Sequence, residues 1–254
     1  MCGRYLITSS PEAFRRLFRY EEQPDFPPRY NVAPTQPIPI VRMAEGKRQF
    51  ALVRWGLIPP WVTDPRNFSL LINARGESVN DKPAFRNAMR RRRCLIPADG
   101  FYGWKEQGGR RRPYCVRPKD GGPVAFAGLW ETWSGPNGEE METAVIITTN
   151  ANRELAHLHE RMPVVVPPEA YDFWLDCDNV DATTAAALFV PAREGFFEAY
   201  EISPAVNRTA NDGPELIAPF VAEEAAPANS APPAGEPPKR KKKPVKDERQ
   251  SSLF

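Results

Sequence analysis

Short runs of apolar and β-branched residues recur through the first 219 positions, each four to seven residues long. Such runs, separated by turn-forming residues, are typical of strands. The predicted strands cover residues 39–42, 50–55, 94–97, 124–130, 143–149 and 199–202. They outnumber the predicted helices and do not alternate regularly with them. The pattern therefore predicts an α+β fold, with a mostly antiparallel sheet or barrel and flanking helices.

Helical periodicity is confined to short segments. Ser9 and Glu12 have capping-box spacing, and Phe14, Leu17 and Phe18 form the apolar stripe of a short first helix. The other predicted helices cover residues 82–92, 152–158 and 168–176, and proline stands in the first turn of the last one.

The composition changes at Val221, after which alanine, proline, glutamate and lysine predominate. A segment with so few apolar residues buries too little surface to offset its conformational entropy. We therefore expect one folded domain at 2–219 and a disordered tail at 220–254. The lysine-rich run at 239–243 indicates weak DNA binding, a nuclear address in a eukaryote, or a solubilising linker.

The charge distribution excludes a uniformly basic surface on the folded domain. The chain has a net charge of +2, all of which lies in the tail after position 220, so that the preceding body is neutral. A nucleic-acid contact on the body then needs a local basic patch, for which the arginine runs at 90–93 and 110–112 are candidates. The alternative for each run is a solvated helix end or turn.

The four cysteines are widely spaced and form no CxxC motif, so neither a zinc site nor a disulfide framework is expected. No apolar stretch approaches membrane-spanning length. We expect a monomeric, cytoplasmic protein with no cofactor, metal or membrane partner, associated with the nucleoid if it is bacterial.

Cys2 is the first candidate for chemistry. Removal of Met1 would leave Cys2 with a free α-amine and a thiol on adjacent carbons, both partly nucleophilic near neutral pH. An aldehyde can form a Schiff base with the amine and then be closed by the thiol into a five-membered thiazolidine. Ring closure is effectively unimolecular because the two nucleophiles are tethered. The alternative is that Cys2 is one of four scattered cysteines without a chemical role.

Two further segments are polar where a core element would not need to be. Asn73 and Arg75 share one face if their segment is extended. His157 and His159 are the two histidines of the chain, and at this spacing they lie on different faces of a helix. No carboxylate or cysteine cluster completes a metal site, so a proton-transfer or hydrogen-bonding role is favoured for one histidine.

Together these pieces resemble the SRAP (SOS response-associated peptidase) family of abasic-site processing proteins. The shared motifs occur in family order: MCGR at 1–4, YNVAPT at 30–35, RWGLIP at 54–59, NARGE at 73–77, RCLIPADGFY at 93–102 and HERMP at 159–163. The resemblance implies an antiparallel sheet closing towards a barrel with flanking helices. It also implies that Cys2 forms a stable thiazolidine with the ring-opened aldehyde of an abasic site in single-stranded DNA, which protects the site during the DNA damage response.

Several residues acquire roles from this resemblance. Asn73 would orient Cys2 or the substrate, and His159 would act as the acid–base group near the deoxyribose. The implied phosphate contacts are Arg4, Arg75 and Arg161. Trp61 would stack on a base, or alternatively belong to the core.

The chain departs from the family pattern at Gly103, where the family has a glutamate regarded as catalytic. Glycine transfers no proton. Glu106 lies three residues further along and is expected on the wrong face of a strand, whereas Glu77 is an imperfect substitute. A water molecule, another carboxylate or slow cross-linking are the alternatives that the sequence leaves open.

Two other functions remain open at this stage. Cys2 and His159 could form the thiolate–imidazole pair of a cysteine peptidase, an activity that includes self-cleavage after Met1. An ordinary aminopeptidase would also remove Met1. Alternatively, the protein binds single-stranded DNA non-covalently because Gly103 has weakened its chemistry. An abasic-site lyase activity is a further expectation from the resemblance.

The chain ends in QSSLF, which is similar to the peptides by which bacterial repair proteins dock on the replication sliding clamp. Gln250 would enter a polar pocket of the clamp, and Leu253 and Phe254 an apolar one. The expected partners are therefore single-stranded DNA with abasic sites and a sliding clamp.

Overall fold

The computed structural model describes residues 2–220, so the predictions made for the tail and its terminal peptide lie outside the described residues. The strands of the described part are β1 Tyr5–Ile7, β2 Arg29–Val32, β3 Pro37–Ala44, β4 Lys47–Trp55, β5 Asn73–Arg75, β6 Arg93–Ala98, β7 Gly100–Gln107, β8 Arg110–Pro118, β9 Val124–Ser134, β10 Glu140–Asn150, β11 Arg161–Pro163, β12 Val165–Val166 and β13 Phe197–Glu201. Its α-helices are α1 Pro11–Phe18, α2 Arg86–Arg91, α3 Tyr171–Leu175 and α4 Ala182–Ala185. Across residues 2–220, none of the helices has the length and apolar character needed to cross a membrane.

Five strands close into a barrel. β3 pairs with β4 and β6, β6 pairs with β9, and β9 pairs with β10, all of them antiparallel. Parallel pairing of β10 with β4, at Thr143↔Arg54 and Ala144↔Trp55, completes the ring. Each predicted strand overlaps an observed one. The predicted α+β fold, mostly antiparallel and closing into a barrel, is thus confirmed.

A second, five-stranded sheet has the order β13-β8-β7-β1-β2, which places β1 between two neighbours. Tyr5 in β1 pairs with Phe101 in β7 and with Val32 in β2. The ring of Tyr5 lies 5.3 Å from that of Trp55 and 6.3 Å from that of Phe126, which belong to barrel strands. The amino-terminal strand is therefore held by backbone pairing on both sides and by aromatic packing on the barrel.

The β7–β8 hairpin was not predicted, because its sequence mixes aromatic residues, glycines and an arginine run instead of alternating polar and apolar positions. Gly108 and Gly109 connect its strands, with φ angles of 58° and 72°. Consecutive positive φ angles suit a tight hairpin turn and favour glycine. This hairpin contributes most of the strand residues around the site described below.

The N-cap of helix α1 lies one residue after the predicted one. Ser10, not Ser9, accepts a hydrogen bond from the Ala13 amide and caps the helix. Ser9 instead donates its hydroxyl hydrogen, and its amide hydrogen at 2.8 Å, to the buried carboxylate of Asp99. The predicted capping box of Ser9 and Glu12 is therefore wrong, because a tertiary hydrogen bond takes up the Ser9 side chain.

The predicted helix at 152–158 is also wrong, because the segment forms successive turns. Asn152 accepts a hydrogen bond from the Leu155 amide and donates one to the Ala192 carbonyl, and Glu194 accepts the Arg153 amide. These bonds tie the segment to the loop around residue 193. A helix this short depends on its surroundings for stability, and here the surroundings favour turns.

The other two predicted helices are shorter than expected. The helix predicted at 82–92 is reduced to α2, with turns over 83–85. The helix predicted at 168–176 is divided into a 3₁₀ turn, Pro168–Ala170, and α3. Each predicted range contains an α-helix, but its first predicted turn is not α-helical.

The arginine run at 90–93 contains both surface and core residues. Arg90 is exposed, whereas Arg93 is only 1% exposed. The Arg93 guanidinium donates hydrogen bonds to the carbonyls of Met89, Trp174, Asp176 and Val180. A buried cation that satisfies one carbonyl of α2 and three in and after α3 supports the fold, so the run is not one continuous basic patch.

Replacing Arg93 by alanine should lower the free energy of unfolding by on the order of 3–5 kcal/mol, because buried carbonyls lose their donors. Arg90→Ala, which removes the same charge from the surface, should change it by less than about 0.5 kcal/mol. Urea denaturation of both variants measures the difference. Wild-type stability of Arg93→Ala, combined with weakened DNA binding, would contradict the structural role.

Candidate functional site

A narrow cleft of about 70 Å³ opens beside Cys2. Three parts of the chain meet there: the amino terminus, the β7–β8 hairpin and the turn leading into β11. The lining residues are Cys2, Phe101, Tyr102, Gly103, Trp104, Arg111, Val116, Leu155, Leu158, His159 and Arg161. Cys2, His159 and Gly103, which are distant in sequence, thus share one cleft.

The Cys2 side chain is nearly inaccessible to solvent, with 3% of the residue exposed. Its Sγ lies 3.8 Å from the carbonyl oxygen of Arg4. Burial raises the pKa of the thiol to about 12, since a thiolate in this position would lose its hydration. The sulfur is therefore a protonated thiol at neutral pH, and it must give up its proton when it reacts.

Asn73 fixes the main chain at Cys2. Its Nδ2 donates a hydrogen bond of 2.9 Å to the Cys2 carbonyl oxygen. Asn73 is the first residue of β5, which runs parallel to β10 with Asn73 opposite Ile146. Its Oδ1 is buried and has no hydrogen-bond partner within residues 2–220. The amide thus positions Cys2 with its donor and retains an acceptor beside it.

His159 is half-buried, and its Nδ1 accepts a hydrogen bond of 2.9 Å from the amide of Arg161. Burial is the main cause that lowers the pKa of His159, ahead of nearby positive charges that include Arg111 and Arg161. A neutral ring whose Nδ1 is an acceptor carries its hydrogen on Nε2. At neutral pH the N–H of the imidazole is therefore at Nε2.

The terminal nitrogens of Arg161 are engaged by protein partners, whereas its Nε is buried and has no hydrogen-bond partner within residues 2–220. Its two terminal nitrogens bind the Glu77 carboxylate at 2.7 and 2.8 Å, and they also donate to Asn150 Oδ1 and the Thr148 carbonyl. Arg161 in turn holds the pKa of Glu77 below its usual range. The implied phosphate contact of Arg161 stays a prediction, but its bonds favour a role in positioning the adjacent His159.

The remaining implied DNA contacts differ in availability. Arg4 donates to Asn31 Oδ1 at 2.7 Å and to the Val206 carbonyl at 2.8 Å, so it is largely engaged. Arg75 is exposed at the end of β5. Trp61 is 58% exposed, and this exposure rules out the core alternative. Stacking by Trp61 and phosphate contacts by Arg4 and Arg75 stay predictions.

Gly103 is buried in β7, where a Cβ atom would meet Leu158 Cβ at 3.5 Å and Leu158 Cδ1 at 3.7 Å. These are ordinary van der Waals distances, and φ lies outside the left-handed region. Glu106, three positions along the same strand, is exposed and is not among the residues that line the cleft. With Glu77 bound to Arg161, neither neighbouring glutamate occupies the place of a side chain at 103.

Sequence reasoning missed the contribution of Arg111 to this site. The run at 110–112 was a candidate basic patch, but only Arg111 lines the cleft. Its guanidinium carbon lies 5.9 Å from the centre of the Trp104 ring. Arg112 instead forms an ion pair with Glu201 at 2.6 Å. The run predicted a cation here, but only the folded structure shows which of its side chains lines the cleft.

The chain is similar to known proteins over a range that includes every residue lining the cleft. The family model described as SOS response associated peptidase (SRAP) matches residues 1–209. Abasic site processing protein YoqW of Bacillus subtilis is 37% identical over 221 residues, covering 85% of this chain and 99% of that protein. Abasic site processing protein YedK of Escherichia coli is 31% identical over 228 residues, covering 86% and 100%. A crystal structure of a Bacteroides thetaiotaomicron protein aligns with a TM-score of 0.75 at 27% identity, covering 87% and 100%.

The charged groups around His159 predict opposite shifts of its pKa in two variants. Among the described residues, Arg111 and Arg161 are positive groups that lower the pKa of the ring, and Glu160 is a negative group that raises it. Arg111→Ala should raise the pKa of His159, because a charge that disfavours the imidazolium is removed. Glu160→Gln should lower it. Titration of the ring C–H signals by NMR measures both shifts.

The chain has two histidines, so His157 provides the reference signal in the same spectra. A His157→Gln variant assigns the two resonances. Shifts of the same sign in Arg111→Ala and Glu160→Gln would contradict the electrostatic description of the cleft.

Proposed function

The chain belongs to the SRAP family, and we propose that it processes abasic sites in single-stranded DNA by joining Cys2 to the opened sugar. The observation that carries this proposal is the meeting of Cys2, His159 and Gly103 in one cleft, with the Cys2 carbonyl held by Asn73. Relatives from Bacillus subtilis and Escherichia coli are named abasic site processing proteins, which supports abasic DNA as the substrate.

The reaction requires Cys2 to be the terminal residue, so Met1 must first be removed by an aminopeptidase or by self-cleavage. The α-amine then attacks the C1′ aldehyde, and loss of water gives a Schiff base. The Cys2 sulfur adds to the same carbon while its proton passes to the nitrogen. The product is a thiazolidine, and no oxidant or reductant is involved.

The state of each group suits this sequence of steps. A buried, protonated thiol retains the proton that the nitrogen takes up when the C–S bond forms. The Nε2 hydrogen of neutral His159 is suited to donate to the sugar oxygen as the ring opens or water leaves. Asn73 holds the backbone of Cys2, which limits the directions from which its two nucleophiles can approach.

The peptidase alternative has less support from the same geometry. A thiolate–imidazole pair normally lowers the pKa of the cysteine, whereas burial raises that of Cys2. The non-covalent alternative predicts DNA binding without a heat-stable product. Sliding-clamp binding through Gln250, Leu253 and Phe254 stays a prediction that concerns residues outside 2–220.

Cys2→Ala should abolish a heat-stable complex with single-stranded DNA that carries an abasic site, because the thiol is lost. Non-covalent affinity should remain nearly unchanged. Denaturing gels after heating measure the complex, and fluorescence anisotropy measures the affinity. Cys177→Ala is the matched control, since Cys177 does not line the cleft.

Cys2→Ser keeps the amine and should form a Schiff base that borohydride traps. A heat-stable band from Cys2→Ala, without any reductant, would show that another residue is the nucleophile.

Gly103→Glu should accelerate cross-linking by about 10²–10⁴-fold, the usual contribution of a positioned acid–base group. The neighbouring Leu158 leaves room for the added Cβ. Gly103→Gln is the control, because it adds a side chain of similar size that transfers no proton. Single-turnover gel assays give both rates, and equal rates for the two variants would show that a carboxylate at 103 does not contribute.

A further inference from the structure

Two arginines line the cleft, and they differ in what they already bind. Arg161 uses its terminal N–H groups on Glu77, Asn150 and Thr148. Arg111 is exposed, and within residues 2–220 its side chain takes part in no hydrogen bond or ion pair, although Glu106 lies opposite it across the hairpin. The N–H groups of Arg111 are therefore available to a ligand, whereas the terminal N–H groups of Arg161 are already used and its Nε is buried.

Trp104 supports the Arg111 guanidinium in this position. The guanidinium carbon lies 5.9 Å from the ring centre, within the range of a cation–π contact. Trp104 is itself fixed, because its Nε1 donates a hydrogen bond of 2.8 Å to Asn207 Oδ1. Such a contact uses a face of the guanidinium and leaves its N–H edge free for bidentate binding.

The electrostatic balance of the cleft favours an anion. Its lining residues include no aspartate or glutamate within the described chain. The charge of Arg161 is compensated by Glu77, and burial lowers the pKa of His159, which keeps that ring neutral. Arg111 thus contributes a positive charge to the lining of the cleft, and this charge forms no ion pair within residues 2–220, although Glu106 is its partner across the hairpin.

We infer that Arg111 binds a DNA phosphate that directly flanks the abasic sugar, and thereby sets the register of the strand over Cys2. This inference rests on the proposed function, because it takes single-stranded DNA as the ligand. A flanking phosphate is the anion nearest to the reacting C1′ carbon, and a guanidinium can hold it by two parallel hydrogen bonds. Arg111 is a binding and positioning residue in this role, and it takes no part in bond formation.

The test uses an oligonucleotide with a tetrahydrofuran abasic analogue, which has no aldehyde and cannot cross-link. Arg111→Ala should weaken its binding about fivefold, the scale of one exposed charge-assisted contact. The slope of log K against log salt should fall by about 0.7, the value for one phosphate on a single strand. Arg110→Ala is the matched control, since it removes an exposed charge from the preceding residue, which does not line the cleft.

A neutral methylphosphonate placed 5′ or 3′ of the analogue identifies the contact. One of these two oligonucleotides should bind wild type and Arg110→Ala about fivefold more weakly. The same oligonucleotide should bind Arg111→Ala no more weakly than its unmodified form does, because the two changes remove the same contact. Effects of Arg111→Ala that are equally large with both methylphosphonates would overturn the inference.

Failure of the proposed function would look different. Wild-type protein that binds the analogue but gives no heat-stable product with a natural abasic site would overturn the covalent proposal and leave the Arg111 measurement valid. Absence of binding to either oligonucleotide would overturn both.

Discussion

The arrangement of β10 is the constraint on which the site depends. This strand pairs with β9 and β4 in the barrel, and it also pairs with β5 and β11. Thr148 is paired with Arg75 of β5 and with Pro163 of β11, so one stretch of backbone aligns both site strands. A register slip of one residue would turn Asn73 or Arg161 to the opposite face. The same strand therefore closes the barrel and aligns the two strands that carry Asn73 and Arg161.

The cleft combines groups that are mostly uncharged at neutral pH. The thiol is protonated because it is buried, the imidazole is neutral because it is half-buried among positive charges, and Arg161 is compensated by Glu77. These features suit an amine–aldehyde condensation, in which protons move between neighbouring atoms. They fit less well with a peptidase, which needs a preformed thiolate. The electrostatics thus distinguish two chemistries that the same two residues could support.

The sequence predicted the barrel strands because buried strands are short apolar runs, and this signal is local. It failed at 152–158, where Asn152 and Glu194 favour turns through contacts that no local pattern records. The sequence also does not show which residues of the two arginine runs are buried, paired or available, because this depends on the fold. Arg93 binds buried carbonyls of α2, α3 and the segment after α3, Arg112 binds Glu201, and Arg111 lines the cleft. The motifs located Cys2, Asn73 and His159, but only the structure showed that the terminal nitrogens of Arg161 are already engaged.

Packing does not explain the glycine at 103. A Cβ there would make ordinary contacts with Leu158, and the backbone is not in a conformation that favours glycine. The fold thus tolerates a side chain at the one lining position where the family resemblance implies a carboxylate. The remaining acid–base group in the cleft is His159, whose Nδ1 is committed to the Arg161 amide. Within the lining of the cleft, the imidazole of His159 and the thiol of Cys2 are then the side chains suited to proton transfer. The fold therefore does not require glycine at 103, and a carboxylate side chain could be restored there without disturbing the backbone.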